Sequence, residues 1–173
     1  MNVLEQFKKI TTFIFDVDGV MTDGSISIVP GLEYIRTMNT KDGYVLQLAV
    51  KKGYRVVVIT GGNVLPVVER MNSLGITDVF HRVKNKIEIY NRYISDNMLN
   101  AAEILYMGDD IPDYEVMQAV GLACCPSDAV QEIKRISHYI SPLPGGKGCV
   151  RDVIEKVLKL NGHWELSTEI KSI

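Results

Sequence analysis

The chain has 173 residues, 46% hydrophobic and 23% charged, with a formal net charge of −2, which suits one domain with a buried core and excludes a basic nucleic-acid footprint or a basic amphipathic membrane tract. No stretch reaches the roughly 20 apolar residues that span a bilayer, and the opening MNVLEQFKKITTFIFDVDGV lacks the long apolar core and cleavage site of a signal peptide. Cys124, Cys125 and Cys149 form neither a disulfide framework nor a metal spacing, and His81, His138 and His163 are scattered, so the expectation is a cytoplasmic protein that contacts no nucleic acid and no membrane.

In chain order, TTFIFDV is a short apolar run and predicts a buried strand. SISIVPGLEYIRTM has strand-like halves around Pro30-Gly31 and predicts a β-hairpin over about residues 24–38. DGYVLQLAVKKG predicts a helix with Asp42 as N-cap and Gly53 past its end. YRVVVIT is the second strand. NVLPVVERMNSLG is a helix opening at Asn63, with Pro66 in its first turn and Gly75 at its stop. A weaker strand lies near TDVF, and EILYMGD and GLACC give two more. IPDYEVMQAVG and CVRDVIEKVLKLNG are helices, and HWELSTEIKSI reads as a mobile tail over 163–173. This alternation predicts an α/β fold: a three-layer, Rossmann-like parallel sheet over residues 1–162 with a β-hairpin insertion. One hairpin and one helix separate Asp16 from Thr60, which leaves no room for a cap domain.

Ligands bind such sheets outside the carboxyl ends of the strands. There the sequence places Asp16-Val17-Asp18-Gly19, Thr60-Gly61-Gly62 and Gly108-Asp109-Asp110, with Asp113 a turn further on and Lys86 after the third strand region. Two unpaired carboxylates 4 Å apart repel by about 4 kcal/mol at an effective dielectric near 20. A hard cation held by oxygen ligands, Mg²⁺, resolves that repulsion, and Lys86 adds a second positive charge. These parts suit phosphoryl transfer through an aspartyl-phosphate. Asp16 can attack phosphorus. Asp18, two residues on and on the same face, can protonate the leaving alcohol and then activate water, worth about 10²–10⁴ in rate. Thr60 and the Gly61 amide can donate to the phosphoryl oxygens. Asp110 suits a helix cap, and Asp113 suits metal ligation or an orienting role. Gly145-Gly146-Lys147-Gly148 lacks the spacing of a phosphate-binding loop and reads as a flexible entry to the last helix. A receiver-type signalling domain also combines acidic groups, a threonine and a lysine, but the paired aspartates on one strand favour a phosphatase.

The ordered set DVDGVMTDG, ITGG, NK and GDDIPD resembles the haloacid dehalogenase superfamily over about residues 10 to 160. DGVMTDGSISI, NTKDGYVLQLA and GGKGCVRDVIE are further similar to its capless phosphatases of 3-deoxy-D-manno-octulosonate 8-phosphate. Close relatives of those act on 2-keto-3-deoxynononate 9-phosphate. The resemblance implies Mg²⁺ at Asp16, Asp18 (through its backbone carbonyl) and Asp109. It implies a sugar-acid phosphate meeting Asn39, Thr40, Lys41, Asp42, Gly43, Arg70 and Lys86, beside Asp18 and Gly61. It also implies a homotetramer, with Ile26, Ile28, Leu32 and Ile35 of the hairpin offering a shared surface and the tail reaching a neighbour. Two positions depart from the octulosonate pattern: Gly62 and Gln47 stand where those enzymes carry arginine. The nine-carbon substrate therefore stays an alternative.

Overall fold

The computed structural model describes residues 2–31 and 34–170. Six strands form one all-parallel sheet: β1 (Thr12–Phe15), β2 (Arg55–Ile59), β3 (Asp78–Phe80), β4 (Ile104–Met107), β5 (Leu122–Cys125) and β6 (Tyr139–Ile140). Their order is β3-β2-β1-β4-β5-β6. The central strands are continuous apolar runs because both faces of the sheet are covered. Phe13 and Phe15 share one face with Val56, Val58, Leu105 and Met107. Ile14 turns to the opposite face with Val57, Ile59 and Tyr106. The first face packs under α1 (Val3–Lys9), α2 (Thr40–Lys51), α3 (Leu65–Ser73) and α7 (Cys149–Leu160). The second packs under α4 (Lys86–Asp96), α5 (Tyr114–Ala119) and α6 (Gln131–Ile136). Among the described residues no cap domain is present, and no helix is long and apolar enough to cross a membrane.

Strand register sets up the site. Phe15 lies opposite both Val58 and Met107, so Asp16, Thr60 and Gly108 leave the sheet at the same edge. The order reverses between β1 and β4, and that switch point opens a crevice beside Asp16.

Several local expectations change. The N-cap of α2 is Asn39, whose side chain accepts from Lys41 N at 2.8 Å; Asp42 lies inside the helix. Asn63 does not cap α3. Val64 holds that position, and Asn63 accepts from Arg82 Nε at 2.9 Å. The segment expected to be a hairpin shows, among its described residues, one antiparallel bridge between Ser27 and Ile35. Ile28 is 72% exposed and Ile35 48%. A two-stranded ribbon with no covered face has little to hold a longer ladder together. Leu32 lies outside the described residues. Of the tail, residues 163–170 lie along α2 and α7: Tyr54 bonds His163, Tyr44 donates to Ser167 O at 3.1 Å, and Arg151 stacks on Trp164. α1, α4, α6 and β6 were not foreseen in the sequence.

Candidate active site

The chain leaves β1 at Asp16 and makes one wide turn over residues 17–21, closed by Thr22 N donating to Val17 O at 3.1 Å. Gly19 takes φ +86°, and a Cβ there would sit 2.0 Å from Asp109 Oδ2. Glycine thus lets the β1 and β4 loops touch. Thr22 Oγ1 holds the turn by accepting from the amides of Gly19 and Gly24. Gly145 backs it, since a Cβ there would fall 2.0 Å from Gly19 O.

After β4, Asp110 caps the turn Ile111–Asp113, accepting from Ile111 N at 2.8 Å, in a reciprocal box with Asp113. Asp113 is fully buried, and its carboxylate is saturated. Oδ1 accepts from Lys86 Nζ at 2.7 Å and Tyr106 OH at 2.5 Å; Oδ2 accepts from the amides of Asp109 and Asp110. Lys86, in the first turn of α4, also reaches Asp16 Oδ1 at 2.9 Å. Thr60 is buried, and its Oγ1 accepts from Gly62 N at 3.3 Å, so the hydroxyl proton can be offered to the cleft.

Oxygens of Asp16, Asp109 and Asp113 lie within 4.8 Å of one another. Burial, then the neighbouring Asp113, pushes the Asp16 carboxyl up to about 7 against the pull of Lys86. Burial, with Asp16, Asp113 and Asp110, pushes Asp109 up to about 8. Burial works against the charge on Lys86, but Asp16 and Asp113 outweigh it and hold the ammonium above its ordinary range. Asp109 Oδ1 is buried without a hydrogen-bond partner. Clustered oxygens, an orphaned carboxylate oxygen and a charge deficit fit a hard divalent cation. With Asp113 saturated, Asp16 and Asp109 are the carboxylates with capacity left for one.

A cleft of about 840 Å³ gathers Asp16, Asp18, Thr60, Gly61, Lys86 and Asp109. The other expected contacts stand apart from it. Asn39 is held by α2 and donates to Gly146 O at 3.3 Å. Thr40 opens α2. Lys41 faces a separate hollow beside Lys147 and Arg151. Asp42 is 3% exposed and turned to α7, accepting from Arg151 N at 2.8 Å; burial raises its carboxyl to about 6. Gly43 packs against Arg70, whose guanidinium would lie 2.8 Å from a Cβ there, and Arg70 lines a side pocket of about 330 Å³. Two residues that hold cleft side chains from behind escape a reading of strand ends. Tyr106 is an apolar-looking strand residue, and Arg36 clamps Asp18 from the loop before α2, with Nε 2.6 Å from Oδ1 and one terminal nitrogen 3.0 Å from Oδ2.

The family model for haloacid dehalogenase-like hydrolases matches residues 70–148. The 3-deoxy-D-manno-octulosonate 8-phosphate phosphatase of Yersinia pestis is 32% identical over 96% of this chain and 91% of its own length. A crystal structure of the phosphatase from that organism superposes with a TM-score of 0.90 at 31% identity, over 93% of this chain and 87% of the other. The phosphatase of Moraxella catarrhalis, solved in complex with a magnesium ion, a phosphate ion and KDO, superposes with a TM-score of 0.89 at 27% identity, over 92% of each chain.

Proposed function

Because this chain belongs to the haloacid dehalogenase-like phosphatases, in the family of the 3-deoxy-D-manno-octulosonate 8-phosphate phosphatases, we propose that it hydrolyses that sugar-acid phosphate through a phosphorylated Asp16. The observation that carries the reading is the Asp16–Lys86–Asp113 chain beside Asp109 at the switch point of the sheet. Asp16 is the nucleophile: it ends a rigid strand, and Lys86 fixes one of its oxygens so that the other faces the cleft. Asp18 protonates the leaving sugar oxygen and then takes a proton from the attacking water. The Thr60 hydroxyl, the Gly61 amide and the Lys86 ammonium receive charge on the transferring phosphoryl oxygens. Asp113 positions Lys86 and the Asp109 backbone and touches no reacting atom. Mg²⁺ would be held by Asp16, the Asp18 carbonyl and Asp109, and would neutralise phosphate charge beside the nucleophile.

Selection among phosphate esters must come from groups beyond the cleft, because an aspartate and a cation treat most monoesters alike. The side pocket, lined by Arg70, suits the distant acid end of the sugar. The exposed apolar arm, with Ile26, Ile28 and Ile35, suits burial against copies of itself in a homotetramer. The nine-carbon 2-keto-3-deoxynononate 9-phosphate is the second reading, because Gly62 and Gln47 depart from the octulosonate pattern. The test compares kcat/KM for the octulosonate 8-phosphate, the nononate 9-phosphate and glucose 6-phosphate. The eight-carbon acid is expected to lead. Equal values for all three would leave a phosphatase without sugar-acid selectivity.

A further inference from the structure

Residue 62 carries no side chain, yet the space beside it is filled. A Cβ on Gly62 would meet Val64 Cγ1 at 3.1 Å, an Arg36 terminal nitrogen at 3.2 Å and Asp18 Oδ2 at 3.3 Å. Arg36 enters from the far side, out of the exposed arm, with a side chain only 7% exposed. Both ends of its fork engage the two oxygens of Asp18. Asp18 and Gly62 line the cleft, while Arg36 lines the side pocket with Met38, Val64, Val67 and Arg70. A guanidinium therefore stands at the junction of the two hollows and grips the side chain assigned the proton transfer.

We propose that Arg36 is the receptor for the substrate carboxylate, and that this carboxylate displaces Asp18 from the guanidinium. The inference rests on the sugar-acid reading above. The fork fits a planar carboxylate, as its grip on Asp18 demonstrates. A sugar acid with its phosphate at Asp16 reaches the guanidinium past Gly62 once the Asp18 carboxylate swings out of the space beside it. Exchanging one carboxylate for another keeps the charge-assisted hydrogen bonds of Arg36, whereas a neutral hydroxyl cannot replace them. Asp18, once released, turns to the leaving oxygen. A neutral ester leaves Asp18 gripped. Selectivity for acids then resides in kcat as well as in KM.

The test measures kcat and KM on octulosonate 8-phosphate and on glucose 6-phosphate for wild type, Arg36→Ala, Arg36→Lys and the double variant Arg36→Ala/Gly62→Arg. Arg36→Ala is expected to raise kcat on the neutral ester and to lower kcat/KM on the acid by roughly 10- to 100-fold, the worth of charge-assisted hydrogen bonds. Arg36→Lys, with charge but no fork, falls between. The double variant places a guanidinium at residue 62 in the room that Arg36 vacates, and regains acid turnover. If Arg36→Ala fails to fold, Arg36→Lys carries the same comparison. Equal losses on both esters, or an acid preference that survives without Arg36, would overturn the inference while leaving the sugar-acid reading intact. A wild type indifferent between the two esters would overturn both.

Discussion

Replacing Asp16 by asparagine should abolish turnover and yet stabilise the metal-free protein. The wild-type carboxyl is held up at about 7, chiefly by burial and then by Asp113. Ionising a carboxyl displaced from 3.8 to about 7 costs about 4 kcal/mol, at about 1.4 kcal/mol per pH unit. The folded state keeps a proton that the unfolded chain has already released. The contribution of Asp16 to stability is therefore intact below about pH 4, falls as pH rises, and is lost by about pH 7. Asp109 adds the same sign, with its loss complete near pH 8. Asparagine removes the titrating charge, and Lys86 retains Asp113 as a partner at 2.7 Å. In chelator at pH 8, Asp16→Asn should thus exceed wild type by up to about 4 kcal/mol, with the gap closing toward pH 4. Urea unfolding at several pH values reads this directly. Magnesium at about 100 times its Kd should restore about 2.7 kcal/mol to wild type and much less to the variant. A variant less stable than wild type at pH 8 without metal, or a wild type whose metal-free stability is flat with pH, would refute this view of the cluster.

Gly19→Ala forces a side chain to φ +86° and to within 2.0 Å of Asp109 Oδ2; it should lose about 1–3 kcal/mol in urea unfolding and weaken magnesium affinity by calorimetry. At pH 4, where burial keeps the Asp42 carboxyl protonated in the fold, Asp42→Ala deprives the first turn of α7 of its acceptor and should lower stability by about 0.5–2 kcal/mol, with no loss meaning that water replaces the cap. If the proposed tetramer forms through the arm, Ile28→Glu with Ile35→Glu should convert it to monomers by light scattering, and a tetramer unaffected by both charges would exclude the arm as its interface.

The cleft was legible because it hangs on strand ends. TTFIFDV, YRVVVIT and EILYMGD are apolar on both faces, so the polar residues that close them mark the sheet edge where a site can form. Shorter elements carried less signal. β6 has two residues, one of them exposed, and α6 buries only Ile133. α4 had a readable stripe in Ile87, Tyr90 and Ile94, but its neighbours Lys84, Asn85 and Lys86 present the segment as a basic loop. The role of Asp42 depends on a helix that starts at Cys149, and that of Arg36 on the path of a loop. Neither dependence leaves a local pattern. The expected substrate segment 39–43 comes from the resemblance alone; in the fold Asn39 donates to Gly146 O, Asp42 accepts from Arg151 N, and Gly43 lies against Arg70.

The claim that bears most weight is that Asp16 carries the phosphoryl group. Acid-quenching the enzyme during turnover of octulosonate 8-phosphate, digesting it and sequencing the peptide around Asp16 by mass spectrometry tests this directly. The expected result is one phosphoryl group on Asp16 in wild type, absent from Asp16→Asn. Sustained phosphate release by Asp16→Asn, with no phosphorylated Asp16 in wild type, would contradict the account.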